Sequence, residues 1–402
     1  MKDRFETVCV IGLGYIGLPT ASLLGTKGYK VTGVDVSEKV VNTINEGKIH
    51  IVEPDLDLLV KSAVNAGNLS ASMKPVEADV FIIAVPTPFK ENHEPDLSYV
   101  EQATQNISPY VKPGNLIILE STSPVGTSEE IVSRILAENG HDVVNDVHVA
   151  HCPERVLPGR ILIELVQNDR IVGGVTKKAT ELATSFYKEF VSGEVLQTNA
   201  RTAEMSKLSE NSFRDVNIAF ANELSLICDK ENIDVWELIG LANRHPRVSI
   251  LQPGPGVGGH CIAVDPWFII SRDRENSRLI ETARKVNDYK PQWVVEKVIN
   301  KAEKFKNPVI ACLGLAFKAD VDDLRESPAV HIVESLSEKN IGELLVCEPN
   351  ISSHPKYKLT SFDEAIAAAD IILVLVNHKE FSGISAARLS EKIIIDTRGI
   401  VK

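Results

Sequence analysis

Residues 7–17, TVCVIGLGYIG, join a short apolar run to three closely spaced glycines and decide the fold class of the first part of the chain. The run is nearly continuously apolar and rich in β-branched residues, which is typical of a parallel strand buried on both faces. Gly12, Gly14 and Gly17 follow it with the spacing G-x-G-x-x-G. At the start of a helix, this spacing lets backbone N–H groups approach a pyrophosphate. The stretch therefore predicts a strand, a tight turn and a helix that bind a dinucleotide.

Asp35 closes the next apolar run, KVTGVDV (30–36), and comes 18 residues after Gly17. A carboxylate there accepts hydrogen bonds from both ribose hydroxyls and repels a 2′-phosphate, so NAD is favoured over NADP. The alternative is a glycine-rich turn without a ligand, which the preceding strand and the following acid disfavour.

Further apolar runs of the same kind predict an α/β protein with two sheets. Three follow in the first half, at residues 78–88, 115–124 and 146–154, and four occur in the last hundred residues, at 307–318, 342–350, 369–378 and 392–401. Between the two sets, residues 200–239 contain neither proline nor glycine and have apolar residues at helical spacing. This pattern predicts one or two long helices that serve as a connecting spine or as a dimer surface. We expect two Rossmann-like doubly wound domains, residues 1–197 and 300–402, joined by a central long-helix segment, residues 198–299.

Composition and charge exclude several classes of protein. The chain has 402 residues, 44% of them hydrophobic and 24% charged, as in globular proteins. A net charge of −12 without a basic stripe argues against nucleic acid or an anionic membrane as the main partner. The six cysteines have neither disulfide nor metal-ligand spacing, and the start of the chain does not resemble a signal peptide, so we expect no metal and a reducing cytoplasm.

The stretch GPGVGGHCIAVDP (254–266) contains the candidate nucleophile. Four glycines precede Cys261, and such a run leaves a thiol approachable and lets N–H groups face an intermediate. Asp265 would orient water or a base. The alternative is a cysteine that packs in the core.

Two sets of polar residues are further candidates. Lys207, Asn211 and Arg214 fall on one face of the predicted long helix, where a desolvated lysine would serve as a base or oxyanion partner. Lys318 and Arg325 lie in a βα connection and suit phosphate groups. The alternative for the first set is a solvated helix face, and the alternative for the second set is a solvated charged turn.

These stretches together resemble the UDP-glucose/GDP-mannose dehydrogenase family over essentially the whole chain. The resemblance rests on these motifs in order: VIGLGYIGLPTA, IHIVEPDL, VPTPFK, ESTSPVG, CPERVLPG, RTAEMSKLSENSFRDVNIAFANELS, NRHPRV, GPGVGGHCIAVDPWF and LAFKADVDDLRESPA. It implies a four-electron oxidation of the sugar C6, with two NAD used in turn and a thiohemiacetal and a thioester formed on Cys261. It also implies a homodimer with its interface on the long helix, and a UDP-sugar as the partner of the last domain.

The resemblance assigns roles to individual residues. It makes Cys261 the nucleophile and Lys207 the proton donor or acceptor, with Asn211 and Asp265 as companions, and gives Thr122 and Glu154 the placing of the catalytic water. The NAD contacts that it implies are Gly12, Gly14, Tyr15, Ile16, Gly17, Asp35, Thr87 and Ser128. The substrate contacts that it implies are Arg155, Val156, Lys207, Asn211, Arg214, His245, Arg247, Gly258, Phe317, Lys318, Arg325 and Arg398. In the family, the residues matching His245 and Arg247 act across the dimer interface.

Two positions depart from the UDP-glucose branch of the family. Pro158 stands where that branch has a second glutamate, and His260 stands where it has a serine before the cysteine. These changes favour an N-acetylhexosamine substrate, and PERVLPG with HCIAVDPWF favours N-acetylmannosamine over 2-acetamido-glucose. Two other functions remain open. A two-electron β-hydroxyacid-type dehydrogenase would explain Lys207 and Asn211 but not Cys261 or the second α/β domain. A non-catalytic nucleotide-sugar sensor would not need Cys261, Lys207 and Asp265 together.

Overall fold

The computed structural model describes residues 5–157, 159–259, 261–382, 389 and 391–401. Pro158 and His260, on which the choice between substrate branches rests, lie outside the described residues. The chain divides into two compact units, Met1–Glu210 and Asn211–Lys402. Each unit has its own largely parallel sheet, and a long helix lies between the two sheets in the chain, so the expected α/β class with two Rossmann-like regions is confirmed.

The first unit contains one sheet of eight strands. The strands are β1 (Thr7–Ile11), β2 (Lys30–Val34), β3 (Leu69–Ser72), β4 (Val80–Ile83), β5 (Leu116–Leu119), β6 (His148–His151), β7 (Arg170–Gly174) and β8 (Val195–Asn199). The helices are α1 (Gly17–Thr26), α2 (Glu38–Asn45), α3 (Leu56–Asn65), α4 (Ser98–Ile107), α5 (Arg134–Glu138), α6 (Ile161–Gln167) and α7 (Lys177–Lys188), with a 3-10 turn at Ser108–Tyr110 and a π-helical segment at Ser128–Ser133. The strand order is β3-β2-β1-β4-β5-β6-β7-β8, with β6 and β7 antiparallel and the other neighbours parallel.

The first six strands have the order of a dinucleotide-binding sheet, in which ligands bind where the order reverses. That point lies at the carboxyl ends of β1 and β4. Both faces of the sheet are buried: Val80 and Ile82 belong to one apolar cluster, whereas Phe81 and Ile83 belong to another. This double burial explains why these strands are continuously apolar in sequence.

Five of these strands were predicted from apolar runs in the sequence, whereas β3, β7 and β8 were not. Polar residues interrupt LSAS in β3 and VLQTN in β8, and β7 (RIVGG) ends in two glycines. Those glycines are required by packing, because a Cβ at Gly173 would lie 2.2 Å from the Asn199 carbonyl oxygen and one at Gly174 would lie 2.3 Å from the Thr180 nitrogen.

The second unit contains helices followed by a smaller sheet. The long helix α8 (Ala200–Glu231) runs into this unit, and the further helices are α9 (Val235–Ala242), α10 (Asp265–Arg272), α11 (Arg278–Ala302), α12 (Pro328–Glu338) and α13 (Phe362–Ala368), with a 3-10 turn at Lys379–Phe381. The strands are β9 (Val309–Leu313), β10 (Glu343–Cys347), β11 (Ile371–Val374) and β12 (Ile393–Asp396). They are parallel in the order β10-β9-β11-β12, and all four were predicted.

The predicted helices of residues 200–240 are confirmed as α8, of 32 residues, and α9. Asp234 separates them because its carboxylate caps α9, accepting from the N–H groups of Trp236 and Glu237. Within the described part of the chain, no helix is both long and apolar enough to cross a bilayer.

Candidate active site

The turn after β1 has the geometry that a pyrophosphate needs. Gly12 has φ 91°, and a Cβ there would lie 2.5 Å from the carbonyl oxygen of Ala84. A Cβ at Gly17 would lie 1.8 Å from the Gly12 carbonyl oxygen, so this glycine allows α1 to start against the strand. Gly14 differs, because no described atom lies within 4 Å of its Cβ position. Two glycines therefore serve the protein's own packing, and the third leaves open space at the start of α1, which fits NAD.

Asp35 lies directly after β2 and is half-buried. Its Oδ2 accepts from the Leu13 N–H at 3.1 Å and its Oδ1 accepts from the Ser37 N–H at 2.9 Å. Both bonds fix the carboxylate beside the glycine turn. A carboxylate in this position suits ribose hydroxyls, as predicted.

The remaining predicted NAD contacts differ in exposure. Tyr15 is exposed and Ile16 half-buried, both at the start of α1, and the Thr87 hydroxyl donates to the Thr122 carbonyl oxygen at 2.5 Å. Ser128 is fully buried, and both its N–H and its hydroxyl donate to Oε1 of Glu204 at 2.8 Å.

Glu204 is a residue that the sequence analysis missed. Its Oε2 accepts from the Gly126 N–H at 2.6 Å, so the carboxylate caps the start of the π-helical segment. Burial raises the pKa of Glu204, while its hydrogen bonds from Ser128 and Gly126 oppose the rise. A buried acid within a helix of mixed polarity has no local sequence signal.

Glu154, a predicted water-placing residue, is held by two contacts. Its Oε2 accepts from Nη1 of Arg170 at 2.9 Å, and its Oε1 accepts from the Arg155 N–H at 2.7 Å. Thr122, the other predicted water-placing residue, is half-buried in the segment that follows β5. The sequence analysis did not single out Arg170.

Arg155 and Val156 lie in the loop after β6. The Arg155 guanidinium pairs with Glu210, with Nη2 2.8 Å from Oε1, and donates from Nη1 to the Asp169 carbonyl oxygen at 3.2 Å. Val156 is half-buried and packs against the core of the first unit. Lys207 is half-buried on α8, one turn before Asn211.

The second unit brings together two predicted catalytic residues, Asn211 and Asp265. The Nδ2 of Asn211 donates to Oδ2 of Asp265 at 2.6 Å, and both residues are at least nine-tenths buried. Arg214, on the next turn of α8, is exposed. The amide therefore fixes one oxygen of the Asp265 carboxylate at the start of α10.

Cys261 is exposed, whereas the other five cysteines are buried. Its carbonyl oxygen accepts from the N–H groups of Val264 and Asp265 at 3.0 and 2.9 Å, so the cysteine begins the turn that leads into α10. Burial raises the pKa of the Cys152, Cys312 and Cys347 thiols to about 12 and that of Cys9 to about 11, which keeps them protonated and inert. Among the described cysteines, Cys261 alone combines exposure with a glycine-rich approach.

The glycines before Cys261 also have a packing role that the sequence analysis did not foresee. A Cβ at Gly258 would lie 2.6 Å from Cδ of Pro328, and one at Gly259 would lie 3.0 Å from the ring of Phe317. A Cβ at Gly254 would lie 2.8 Å from Nη1 of Arg398. The loop therefore lies against Phe317 and Arg398, two of the predicted substrate contacts.

The predicted UDP contacts gather at the carboxyl edge of the second sheet. Phe317, Lys318 and Arg325 follow β9, and Arg398 follows β12. Lys318 is exposed, and Arg325 is oriented by Asp323, with its Nη2 2.7 Å from Oδ2. Arg398 donates from Nε to the Leu375 carbonyl oxygen at 3.0 Å, and burial lowers the pKa of its guanidinium to about 10. Three cations at one sheet edge suit a diphosphate.

His245 and Arg247 are exposed in the loop after α9. Asn243 closes the base of this loop, because its side chain accepts from the Ile250 N–H at 2.7 Å and donates to the Ile250 carbonyl oxygen at 3.0 Å. The closed loop presents both side chains to solvent.

Comparison with known proteins agrees with this geometry. Residues 6–191 match the NAD binding domain of the UDP-glucose/GDP-mannose dehydrogenase family, residues 201–289 its central domain and residues 311–402 its UDP binding domain. A UDP-N-acetyl-D-mannosamine dehydrogenase of Campylobacter jejuni is 58% identical over 94% of this chain and 97% of its own. An NDP-N-acetyl-D-galactosaminuronic acid dehydrogenase of Ralstonia nicotianae is 54% identical over 98% of this chain and 96% of its own.

A solved structure extends the agreement to the whole fold. The UDP-N-acetyl-mannosamine dehydrogenase Cap5O of Staphylococcus aureus has a TM-score of 0.91 and 43% identity, covering 99% of this chain and 96% of its own. Because all three domains of the family match and a curated relative is 58% identical over 94% of this chain, the chain belongs to the UDP-glucose/GDP-mannose dehydrogenase family of NAD-dependent enzymes.

Proposed function

We propose that this chain oxidises the C6 hydroxymethyl group of UDP-N-acetyl-D-mannosamine to a carboxylate and consumes two NAD for each sugar. The observation that carries the proposal is Cys261, which is exposed and stands one turn before the Asp265 carboxylate held by Asn211. The names of the Campylobacter and Staphylococcus relatives support this sugar. UDP-N-acetylglucosamine is the alternative substrate from the sequence, and the Ralstonia relative adds an N-acetylgalactosamine-derived sugar.

The covalent steps balance without any further reactant except water. The alcohol loses a hydride and a proton to become an aldehyde, and the Cys261 thiol adds to the carbonyl carbon. The thiohemiacetal loses a second hydride and a proton to become a thioester. The oxygen of water then bonds to the carbonyl carbon, the C–S bond breaks, and the thiol is restored. One alcohol and one water thus become a carboxylate, two hydrides and three protons.

The chain's own side chains divide the proton and charge chemistry. Lys207 exchanges the proton of the reacting oxygen and stabilises the oxyanion, and Asn211 and Asp265 are the companion residues that the family resemblance implies. Thr122 and Glu154 place the water. Each NAD, when bound, accepts one hydride from C6.

Ligand binding divides between the two sheets. The glycine turn, Tyr15, Ile16, Asp35, Thr87 and Ser128 hold NAD, and Phe317, Lys318, Arg325 and Arg398 hold the UDP half. The sugar contacts are completed by Arg155, Val156, Arg214, His245, Arg247 and Gly258. We accordingly assign residues 1–197 to NAD binding, 198–299 to the active-site segment and 300–402 to UDP binding.

The chain works as a homodimer in the cytoplasm. Phe213, Phe220 and Ile227 recur every seven residues along α8 and are 68%, 52% and 51% exposed. Such a regular apolar stripe on one helix is the kind of surface that packs against a second copy of itself. Size-exclusion chromatography with light scattering tests the dimer, and Phe220→Glu should yield monomers if the stripe is the interface.

One assay separates this function from its rivals. The purified protein is incubated with NAD and a panel of UDP-sugars, and NADH, uronate and aldehyde are measured. Two NADH and one carboxylate for each UDP-N-acetyl-D-mannosamine support the proposal. One NADH with a released aldehyde or ketone indicates the two-electron dehydrogenase, and binding without turnover indicates the sensor.

Near-native uronate production by Cys261→Ser would show that the cysteine only packs, because serine is a much poorer nucleophile here and forms an ester that is harder to hydrolyse.

A further inference from the structure

Four buried polar side chains, one of them Glu154, form a cluster in the first unit. Glu120 follows β5, Glu154 follows β6, Arg170 begins β7, and Tyr187 lies on α7. Their exposed fractions are 2%, 7%, 2% and 0%. The sequence analysis attached no role to Glu120, Arg170 or Tyr187.

Arg170 contacts Glu154 directly. Its Nη1 donates to Oε2 of Glu154 at 2.9 Å, while the Arg155 N–H binds the other carboxylate oxygen at 2.7 Å. The guanidinium is itself held, because Nη2 donates to the Leu165 carbonyl oxygen at 3.3 Å and the group lies 5.6 Å from the centre of the Tyr187 ring. Both carboxylate oxygens of Glu154 are thus fixed in one orientation.

The charges of the cluster do not cancel when all groups are ionised. The cluster has two carboxylates and one guanidinium, which pairs with Glu154, and the Tyr187 hydroxyl donates to Oε1 of Glu120 at 2.6 Å. Burial, and next the negative charge of Glu154, raise the pKa of Glu120 to about 7, against the lowering effects of Arg170 and the Tyr187 hydroxyl. Near neutral pH, the Glu120 carboxyl group is therefore protonated for part of the time. When it is protonated, the Glu154 carboxylate alone balances the positive charge of Arg170.

A purely structural role accounts poorly for this cluster. A buried ion pair contributes little net stability, since desolvation offsets the attraction, and a second buried carboxylate adds to that cost. The cluster also lies where β5 and β6 end, and the carboxyl ends of strands are where such sheets bind ligands. Glu120 immediately precedes the segment that contains Thr122.

We propose that Arg170 is a positioning residue for the hydrolytic step, holding the Glu154 carboxylate in the orientation in which it accepts a proton from the water that attacks the thioester. This inference rests on the function proposed above. The water oxygen bonds to the thioester carbon as one water proton passes to Glu154. The C–S bond breaks, the Cys261 thiolate leaves and is reprotonated, and Glu154 returns its proton to solvent. Glu120 and Tyr187 keep the charge of the cluster balanced during this exchange.

The first test separates hydride transfer from uronate release in the full-length protein. Rapid-mixing measurements of NADH, with mass spectrometry of the Cys261 adduct, compare the native protein with Arg170→Lys, Arg170→Met and Glu154→Gln. For Arg170→Met we expect the first NADH to form at near-native rate and uronate release to slow about 100-fold, with a thioester accumulating on the enzyme. Arg170→Lys keeps the charge and should recover part of the rate.

The outcome is decided by a double variant and by whether NADH formation and uronate release slow equally. Arg170→Met combined with Glu154→Gln should release uronate no more slowly than Glu154→Gln alone, because Arg170 acts through that carboxylate. Equal slowing of both phases in Arg170→Met, or native release, would overturn the inference. A native protein that forms no uronate would instead refute the proposed function itself.

The second test does not depend on whether Arg170→Met folds. It measures uronate release against pH in the native protein and in Tyr187→Phe, Glu120→Gln and Glu53→Gln. The native profile should have a midpoint near 7, which moves upward in Tyr187→Phe, because the hydroxyl lowers the pKa of Glu120, and disappears in Glu120→Gln.

Glu53→Gln is the matched control, since Glu53 is also buried in the first unit and the described hydrogen bonds of its carboxylate come only from the Gly159 and Ile161 N–H groups. It should keep the native midpoint. The same midpoint in all four proteins would overturn the inference.

Discussion

The turn after β1 and the turn after β9 have the same backbone construction in two sheets that bind different ligands. Gly12 has φ 91° and its N–H donates to the Val34 carbonyl oxygen at 2.8 Å. Gly314 has φ 94°, and its N–H makes the matching bond to Cys347, also at 2.8 Å. In both turns the glycine is required, because a Cβ at Gly314 would lie 2.4 Å from Cβ of Val376, much as one at Gly12 would meet Ala84.

In both sheets an acidic residue directly follows the neighbouring strand, but the surroundings of the two acids differ. Asp35 accepts from the Leu13 N–H and remains half-buried, whereas Glu348 accepts from the Leu315 N–H at 2.7 Å and is 4% exposed. Glu348 is also paired with His378 at 3.0 Å. The first acid is therefore available to a ribose, and the second is a structural anchor.

The glycines that follow the first turn differ as well. Gly14 and Gly17 correspond to Ala316 and Ala319 in the second turn, and Lys318 stands where the first turn has Ile16. A glycine turn binds a pyrophosphate through backbone N–H groups, while the second turn offers a cation. The two turns thus share one backbone design and differ in the side chains within five residues of the first glycine.

The largest effect that we expect is on the free energy of unfolding and concerns Glu348. Burial alone would raise the pKa of Glu348, but the His378 side chain and the N–H groups of Leu315 and Asn350 bring it from 4.5 down to about 2. Since the folded pKa lies below the unfolded value, this stabilisation is present above about pH 4.5 and is lost as pH falls towards 2. Glu348→Gln should lower the free energy of unfolding by about 3 kcal/mol at pH 7 and flatten its acid dependence.

Urea unfolding at several pH values measures this effect, with Asp35→Asn as the matched variant in the first turn. We expect a smaller loss for Asp35→Asn, because its carboxylate is only half-buried. Equal losses would mean that the two acids have the same role.

The second prediction concerns the open space at Gly14. Gly14→Val should raise the KM for NAD about 100-fold, because a side chain would displace the pyrophosphate from the N–H groups, with little change in the KM for the UDP-sugar. Steady-state kinetics with each substrate varied measures both. Gly240→Val is the control, since Gly240 likewise has no described atom within 4 Å of its Cβ position and lies in α9. A comparable rise in both KM values for Gly14→Val would contradict the assignment of this turn to NAD.

The third prediction concerns Lys318 and expects the opposite pattern of KM changes. Lys318→Ala should raise the KM for the UDP-sugar about tenfold by removing a cation from a phosphate, and leave the KM for NAD unchanged. The exposed Lys306→Ala is its control. The opposite pattern would mean that the two sheets have exchanged ligands.

The smallest effect concerns cofactor choice. Asp35→Asn should narrow the preference for NAD over NADP about fivefold, chiefly by weakening NAD, because the amide keeps one acceptor and loses the charge. The ratio of kcat/KM for the two cofactors measures it. Equal use of both cofactors by the native protein would already refute the role of Asp35.

Local sequence patterns were sufficient for most of the fold. Continuous apolar runs predicted nine of the twelve strands, because a parallel strand buried on both faces must be apolar at every position. The strands missed were β3, β7 and β8, where polar residues or glycines interrupt the run. Much of the candidate site was also named from the sequence, and the roles of those residues came from the family resemblance.

What the sequence by itself determined was the pair of α/β sheets, the long helix and the glycine turn, since each depends on residues a few positions apart. The tertiary structure decided which charges meet. Arg170 with Glu154, Glu204 with Ser128 and Glu348 with His378 are pairs separated by 16, 76 and 30 residues. A buried ionisable group is stable only beside its partner, and no local periodicity records where a distant partner lies.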